Sequence, residues 1–137
     1  MRSVALLLVL AGCSSYDPST SDRWYQTVVG IPQYADEVVS AVAALPECEA
    51  VRAGGEIRWR ATVSCGSEPF ARGCTYMGRK PLLIEVVYAP NAWETPDVST
   101  LAHELCHVCG YTDGPDAEAQ ANACAMRAYR QWLESLP

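Results

Sequence analysis

The chain has 137 residues, a net charge of −6 and a pI of about 4.8. Hydrophobic residues make up 50%, which excludes a disordered chain, and there is no basic patch of the kind that holds nucleic acid. The length suits one domain with a modest core, and neither an internal repeat nor a second domain is visible.

Arg2 and the apolar run Val4–Ala11 read as a targeting segment, too short to span a bilayer. The run ends in Leu10-Ala11-Gly12-Cys13, which resembles the lipobox of bacterial lipoproteins. The resemblance implies that residues 1–12 are a signal peptide and that Cys13 carries lipid, making the membrane a partner through that anchor. Ser14 follows the cysteine. In Gram-negative lipoproteins of similar pattern this implies a cell-envelope protein of the outer membrane, facing the periplasm or the exterior. Residues 13–21 are then the lipidated cysteine and a polar tether, leaving 22–137 as the folded domain.

Within that domain, Ser21 can cap a short helix through Val29, which Gly30 and Pro32 interrupt. Val38, Val42 and Leu45 recur at helical spacing, predicting an amphipathic helix over Gln33–Leu45 that Pro46 ends. Glu47–Gly55 is a connection. The period then becomes two: Ile57, Trp59, Ala61, Val63 and Cys65 alternate with polar residues, predicting one half-buried strand. Gly66–Gly73 reads as a loop and Cys74–Met77 as a short strand. Leu82–Tyr88 is an apolar run with the character of an interior strand. Thr95-Pro96-Asp97 is a helix start, Gly110 a helix stop, and Pro115-Asp116 opens a last helix to about Ser135, with Ala121, Ala125, Ala128 and Trp132 inward. The expected class is α+β, with an N-terminal helix, a small mainly antiparallel sheet of about three strands, and two antiparallel helices at the end.

Besides Cys13 there are six cysteines: Cys48, Cys65, Cys74, Cys106, Cys109 and Cys124. An even number in an exported domain suggests up to three disulfides, with fifteen possible pairings. Cys65 and Cys74 flank one loop and could pair across a hairpin. Cys106 and Cys109 also fit Cys-x-x-Cys, a metal or redox spacing.

The penultimate helix carries His103-Glu104-Leu105-Cys106-His107, and its two histidines are the only ones in the chain. Residues four apart share one helix face, so both imidazoles can reach one metal ion, and Glu104 is placed to take a proton from water on that ion. A hydrolytic zinc site needs a third protein ligand. Without a third histidine, a carboxylate must serve, or less readily a thiolate. If Gly110 turns the last helix back antiparallel, Glu118 meets the level of His107 and Asn122 that of His103.

Glu118 and Asn122, four apart and followed by alanines, resemble the second motif of ImmA/IrrE-type zincins and, more broadly, the chain is similar to gluzincins. That resemblance implies a minimal zincin-like fold with Glu118 as third ligand. His103-Glu104-x-x-His107-x-x-Gly110-x-x-Asp113 instead resembles the extended metzincin motif of snapalysin-like peptidases, which implies Asp113 as the ligand and a methionine turn, with Met126 the only downstream methionine. Either resemblance implies a Zn2+-dependent peptidase acting on a peptide or protein substrate, with Glu104 as general base. The alternative from another class is a non-catalytic, disulfide-rich surface lipoprotein whose zinc is structural or vestigial.

Overall fold

The computed structural model describes residues 24–27, 35–88, 93, 99–112 and 114–137. Its elements run β1 (Trp24–Thr27), α1 (Ala35–Ala43), a 3₁₀ segment (Pro46–Ala53), β2 (Gly55–Arg60), β3 (Val63–Cys65), β4 (Glu68–Ala71), β5 (Gly73–Tyr76), β6 (Leu83–Val87), α2 (Thr100–Val108) and α3 (Ala117–Ser135). The domain is α+β, with a four-stranded sheet in the order β1-β2-β6-β5 and a separate β3-β4 pair.

Alternation along β2 puts Ile57 and Trp59 on one face and Glu56, Arg58 and Arg60 on the other. β6 runs parallel to β2 with Ile57 beside Ile84 and Trp59 beside Val86, so those four side chains share the inner face. α2 packs over this face against β5 and β6, and α1 and α3 pack against α2 and each other. Val38, Val39 and Val42 of α1, Leu101, Ala102 and Leu105 of α2, and Ala121, Ala125 and Ala128 of α3 are buried in the same core. The alanines let α3 lie close against its neighbours, because side-chain size sets the distance between packed helices. On the outer face, Glu85 accepts from Arg60 Nε and Tyr76 Oη, each at 2.8 Å. Burial opposes ionisation of Glu85, but these donors hold its pKa below the usual carboxylate value.

The sheet differs from the mainly antiparallel expectation. β1, β2 and β6 are mutually parallel, and within this sheet only β5 runs antiparallel to its neighbour. Trp24–Thr27, expected to be helical, is a strand. Pairing with Gly55–Arg58 overrides the weak local preference. Trp24 is anchored by Nε1 donating to Val51 O at 2.9 Å. It also requires Gly55: a Cβ there would lie 2.8 Å from the Trp24 ring and 2.6 Å from Leu82 O.

The strand expected over Ile57–Cys65 is two strands in two sheets, divided at Ala61–Thr62. Alternation persists across the bend, so period two conceals it. The expected loop Gly66–Gly73 contains β4, an exposed strand that tolerates Pro69 because it is not interior to a sheet. The 3₁₀ segment replaces a plain connection.

Three disulfides join Cys48 to Cys109, Cys65 to Cys74 and Cys106 to Cys124. Cys65 and Cys74 pair as the flanking-loop argument anticipated, with β4 between them. The Cys-x-x-Cys expectation is corrected, because Cys106 and Cys109 bond to different partners and cannot be a redox or metal-binding pair.

Candidate metal centre

α2 begins where Ser99 Oγ accepts the Ala102 backbone N–H at 3.2 Å. The expected start at Thr95-Pro96-Asp97 lies outside the described residues. The helix buries Leu101, Ala102, Leu105, Cys106 and Val108, while His103 and His107, four apart, stand together on its outer side. Gly110, with φ of 117°, terminates the helix in a conformation that favours glycine, and its N–H donates to His107 O at 3.1 Å. The returning helix α3 brings Glu118 against both histidines. The Cys106–Cys124 disulfide ties the two helices together immediately beside His107.

His103 Nε2 and His107 Nε2 are 3.1 Å apart; Glu118 lies 3.0 Å from the first and 3.2 Å from the second. These three residues could hold a metal ion. The ring protons argue for it. His107 Nδ1 lies 2.6 Å from Tyr111 O, a carbonyl that can only accept. His103 Nδ1 lies 2.7 Å from Asn122 Oδ1. With each Nδ1 donating to these acceptors, a neutral ring turns its Nε2 lone pair towards the other ring and towards Glu118. In that form the three donor atoms repel one another unless a proton or a metal ion lies among them. The edges of this triangle approach those of a tetrahedral site, roughly 3.3 Å when each bond is about 2.0–2.1 Å. Asn122 and the Tyr111 carbonyl thus orient the ligands from behind.

Glu104 is 6% exposed and enters the site from beside the sheet. Thr75 Oγ1 lies 2.5 Å from Glu104 Oε2 and 3.0 Å from Glu104 O. On β5, Gly73 and Thr75 pair with Val86 and Ile84, so they face the helices. Gly73 leaves the space that Glu104 fills: a Cβ there would stand 2.7 Å from Glu104 Cγ and 2.9 Å from its Oε1. Burial raises the pKa of Glu104, against the Thr75 hydrogen bond and the nearby imidazoles of His103 and His107. A carboxylate shifted this way holds a proton more readily than a surface glutamate, as an acid–base group must.

The loop after α2 is clamped from α1's side of the molecule. Glu47 accepts from Tyr111 Oη at 3.2 Å and pairs with Arg127 of α3, while the adjacent Cys48 is bonded to Cys109. Burial opposes ionisation of Glu47, but its backbone contact, Arg127 and Tyr111 prevail and lower its pKa.

The sequence pattern placed His103, His107, Glu118 and Asn122 together, and the structure brings them together. It missed Gly73, Thr75 and the Glu47–Tyr111–Arg127 clamp. A glycine beginning a strand was the available signal, since it marks close approach of another group. Asp113 and Cys13 lie outside the described residues. Met126 lies within α3 rather than in a turn. Cysteine is excluded as a third ligand: the Cys48, Cys109 and Cys124 sulfurs cluster within 4.8 Å, but all are in disulfides. No protein-family model, curated protein or solved structure matches the chain.

Proposed function

We propose that the protein is an exported, lipid-anchored zinc peptidase. The observation that carries this is the convergence of two Nε2 atoms and a carboxylate beside a buried glutamate. Two imidazoles and one carboxylate are the donor set of hydrolytic zinc sites, which leave a further position for water. Zinc held by His103, His107 and Glu118 would supply a Lewis acid, lowering the pKa of water towards about 7 and polarising the scissile carbonyl. Glu104 takes the proton from the attacking water and passes it to the leaving amine. Thr75 holds the carboxyl in place for both transfers. Burial within the α2–β5 interface keeps bulk water from competing for it. An extended substrate would lie along the groove beside Gly73 of β5 and Glu104. Among the described residues no helix is long and apolar enough to cross a membrane. Attachment would be through lipid at Cys13, in the outer membrane.

The test is paired. Metal analysis of the purified protein should give about one zinc per chain. Glu104→Gln should retain that zinc and lose peptide cleavage by roughly 10²- to 10⁴-fold. A wild type that binds zinc yet cleaves nothing in a broad peptide library would instead make this a surface binding module with a structural metal. Cys13→Ser should abolish incorporation of labelled palmitate.

A further inference from the structure

The groove over the metal donors contains apolar surface that neither the metal nor the base uses. On one side of the donors it opens into a cleft of about 650 Å³ between β4 and α3. Along α3, Glu118, Asn122 and Met126 follow one another at intervals of four, so they form one stripe. Its order is metal donor, His103 partner, then a thioether one turn further away. Along β4, Glu68 and Phe70 are two apart and share one face of the strand. Phe70 is 85% exposed, the most exposed large hydrophobic residue among those described. It lines the same cleft as Met126.

This wall is braced. Cys65–Cys74 joins β3 to β5, and Ser64 Oγ donates to Pro69 O at 3.2 Å. On the other side of the donors lies a second cleft of about 340 Å³, lined by Thr75, Met77, His107 and Thr112. The two clefts share Glu68, Gly73, Glu104 and Glu118, so the groove continues across the donors and suits an extended chain with side chains on either side.

We propose that Phe70 and Met126 form an apolar subsite that takes a large aliphatic or aromatic side chain of a polypeptide substrate and so sets the cleavage preference. The inference rests on the peptidase assignment. It gives Phe70 a ligand-facing role where an aromatic ring would otherwise stand in water, and it gives Met126, on the returning helix, a place in the groove.

The test uses peptidyl hydroxamates, which chelate zinc and need no turnover, in a series carrying Gly, Leu or Phe on either side of the chelating group. Affinities are measured by calorimetry on the zinc-loaded full-length protein. Leu or Phe in one of the two positions should bind wild type roughly tenfold or more tightly than Gly, the scale at which an apolar pocket discriminates. Phe70→Ala and Met126→Ala should each collapse that ratio and leave the Gly probe unchanged, and Phe70→Leu should restore part of it. Because Phe70 is exposed, its replacement spares the core. A ratio that survives both alanine variants, or no preference in wild type, overturns the subsite alone. Failure of every hydroxamate to bind zinc-loaded protein overturns the peptidase assignment together with it.

Discussion

The two walls of the groove are built differently. The α2–α3 wall stands on core: Leu101, Leu105, Ala121 and Ala125 are buried behind it, and Cys106–Cys124 crosses it. The β4 wall has little behind it, with Glu68, Pro69 and Phe70 all exposed, and depends on Cys65–Cys74 to stay at the sheet edge. Metal donors must hold their separations to within tenths of an ångström, and close packing supplies that precision. A surface that meets substrate side chains can be looser and can vary without unfolding the domain.

Breaking each disulfide should therefore have unequal consequences, and this is the largest contrast expected. Replacing Cys106 and Cys124 by serine removes a cross-link over a sequence separation of 18 and buries two hydroxyls in the core. It should cost roughly 3 kcal/mol or more by the loop-entropy model and weaken zinc retention in parallel. Replacing Cys65 and Cys74 spans a separation of 9 and should cost somewhat less. It should leave zinc affinity near wild type while blurring substrate preference. Denaturant melts with zinc titrations on both variants make the comparison. Equal zinc loss in the two would erase the distinction between the walls.

Next in size is Gly73→Ala, which attacks the junction of the walls. The new Cβ meets Glu104 Cγ at 2.7 Å, so the carboxylate must shift. Misplacement by about 1 Å can cost on the order of 10²-fold in rate. The expected result is a fall in kcat with zinc content unchanged.

Thr75→Val sharpens the same point through pH. The Thr75 hydroxyl lowers the Glu104 pKa against the rise caused by burial. Removing it should raise that pKa further, so the acid limb of kcat/KM should move to higher pH. An unmoved limb would mean that Glu104 is not the base being titrated.

The smallest effect belongs to the clamp behind His107. Glu47 has a lowered pKa, so its contribution to stability is present above its ordinary value of 4.5 and is lost as pH falls through the folded value. Arg127→Ala should reduce that acid dependence and cost up to about 1 kcal/mol, as for other partly exposed pairs. Melts at successive pH values below neutrality read it.

The metal side of the groove was legible in the sequence because its information is local. His103 and His107 follow helix periodicity, and Gly110 marks the return that aligns Glu118 and Asn122. The partners of Glu104 were not legible, since Thr75 stands 29 residues away and reaches it only through β5. The parallel pairing of β1, β2 and β6 escaped for the same reason: alternation reports a strand's faces but not its neighbours. Phe70 lay in a stretch whose glycines and proline read as loop, and two of the three disulfides were hidden among equivalent pairings.

Everything proposed for the groove depends on a metal ion held by His103, His107 and Glu118. A crystal structure of the zinc-loaded protein, with anomalous data at the zinc absorption edge, tests it most directly. One strong peak is expected, with His103 Nε2, His107 Nε2 and a Glu118 carboxylate oxygen each within about 2.0–2.2 Å. A peak coordinated by Asp113 in place of Glu118, or none between the two histidines, would contradict it.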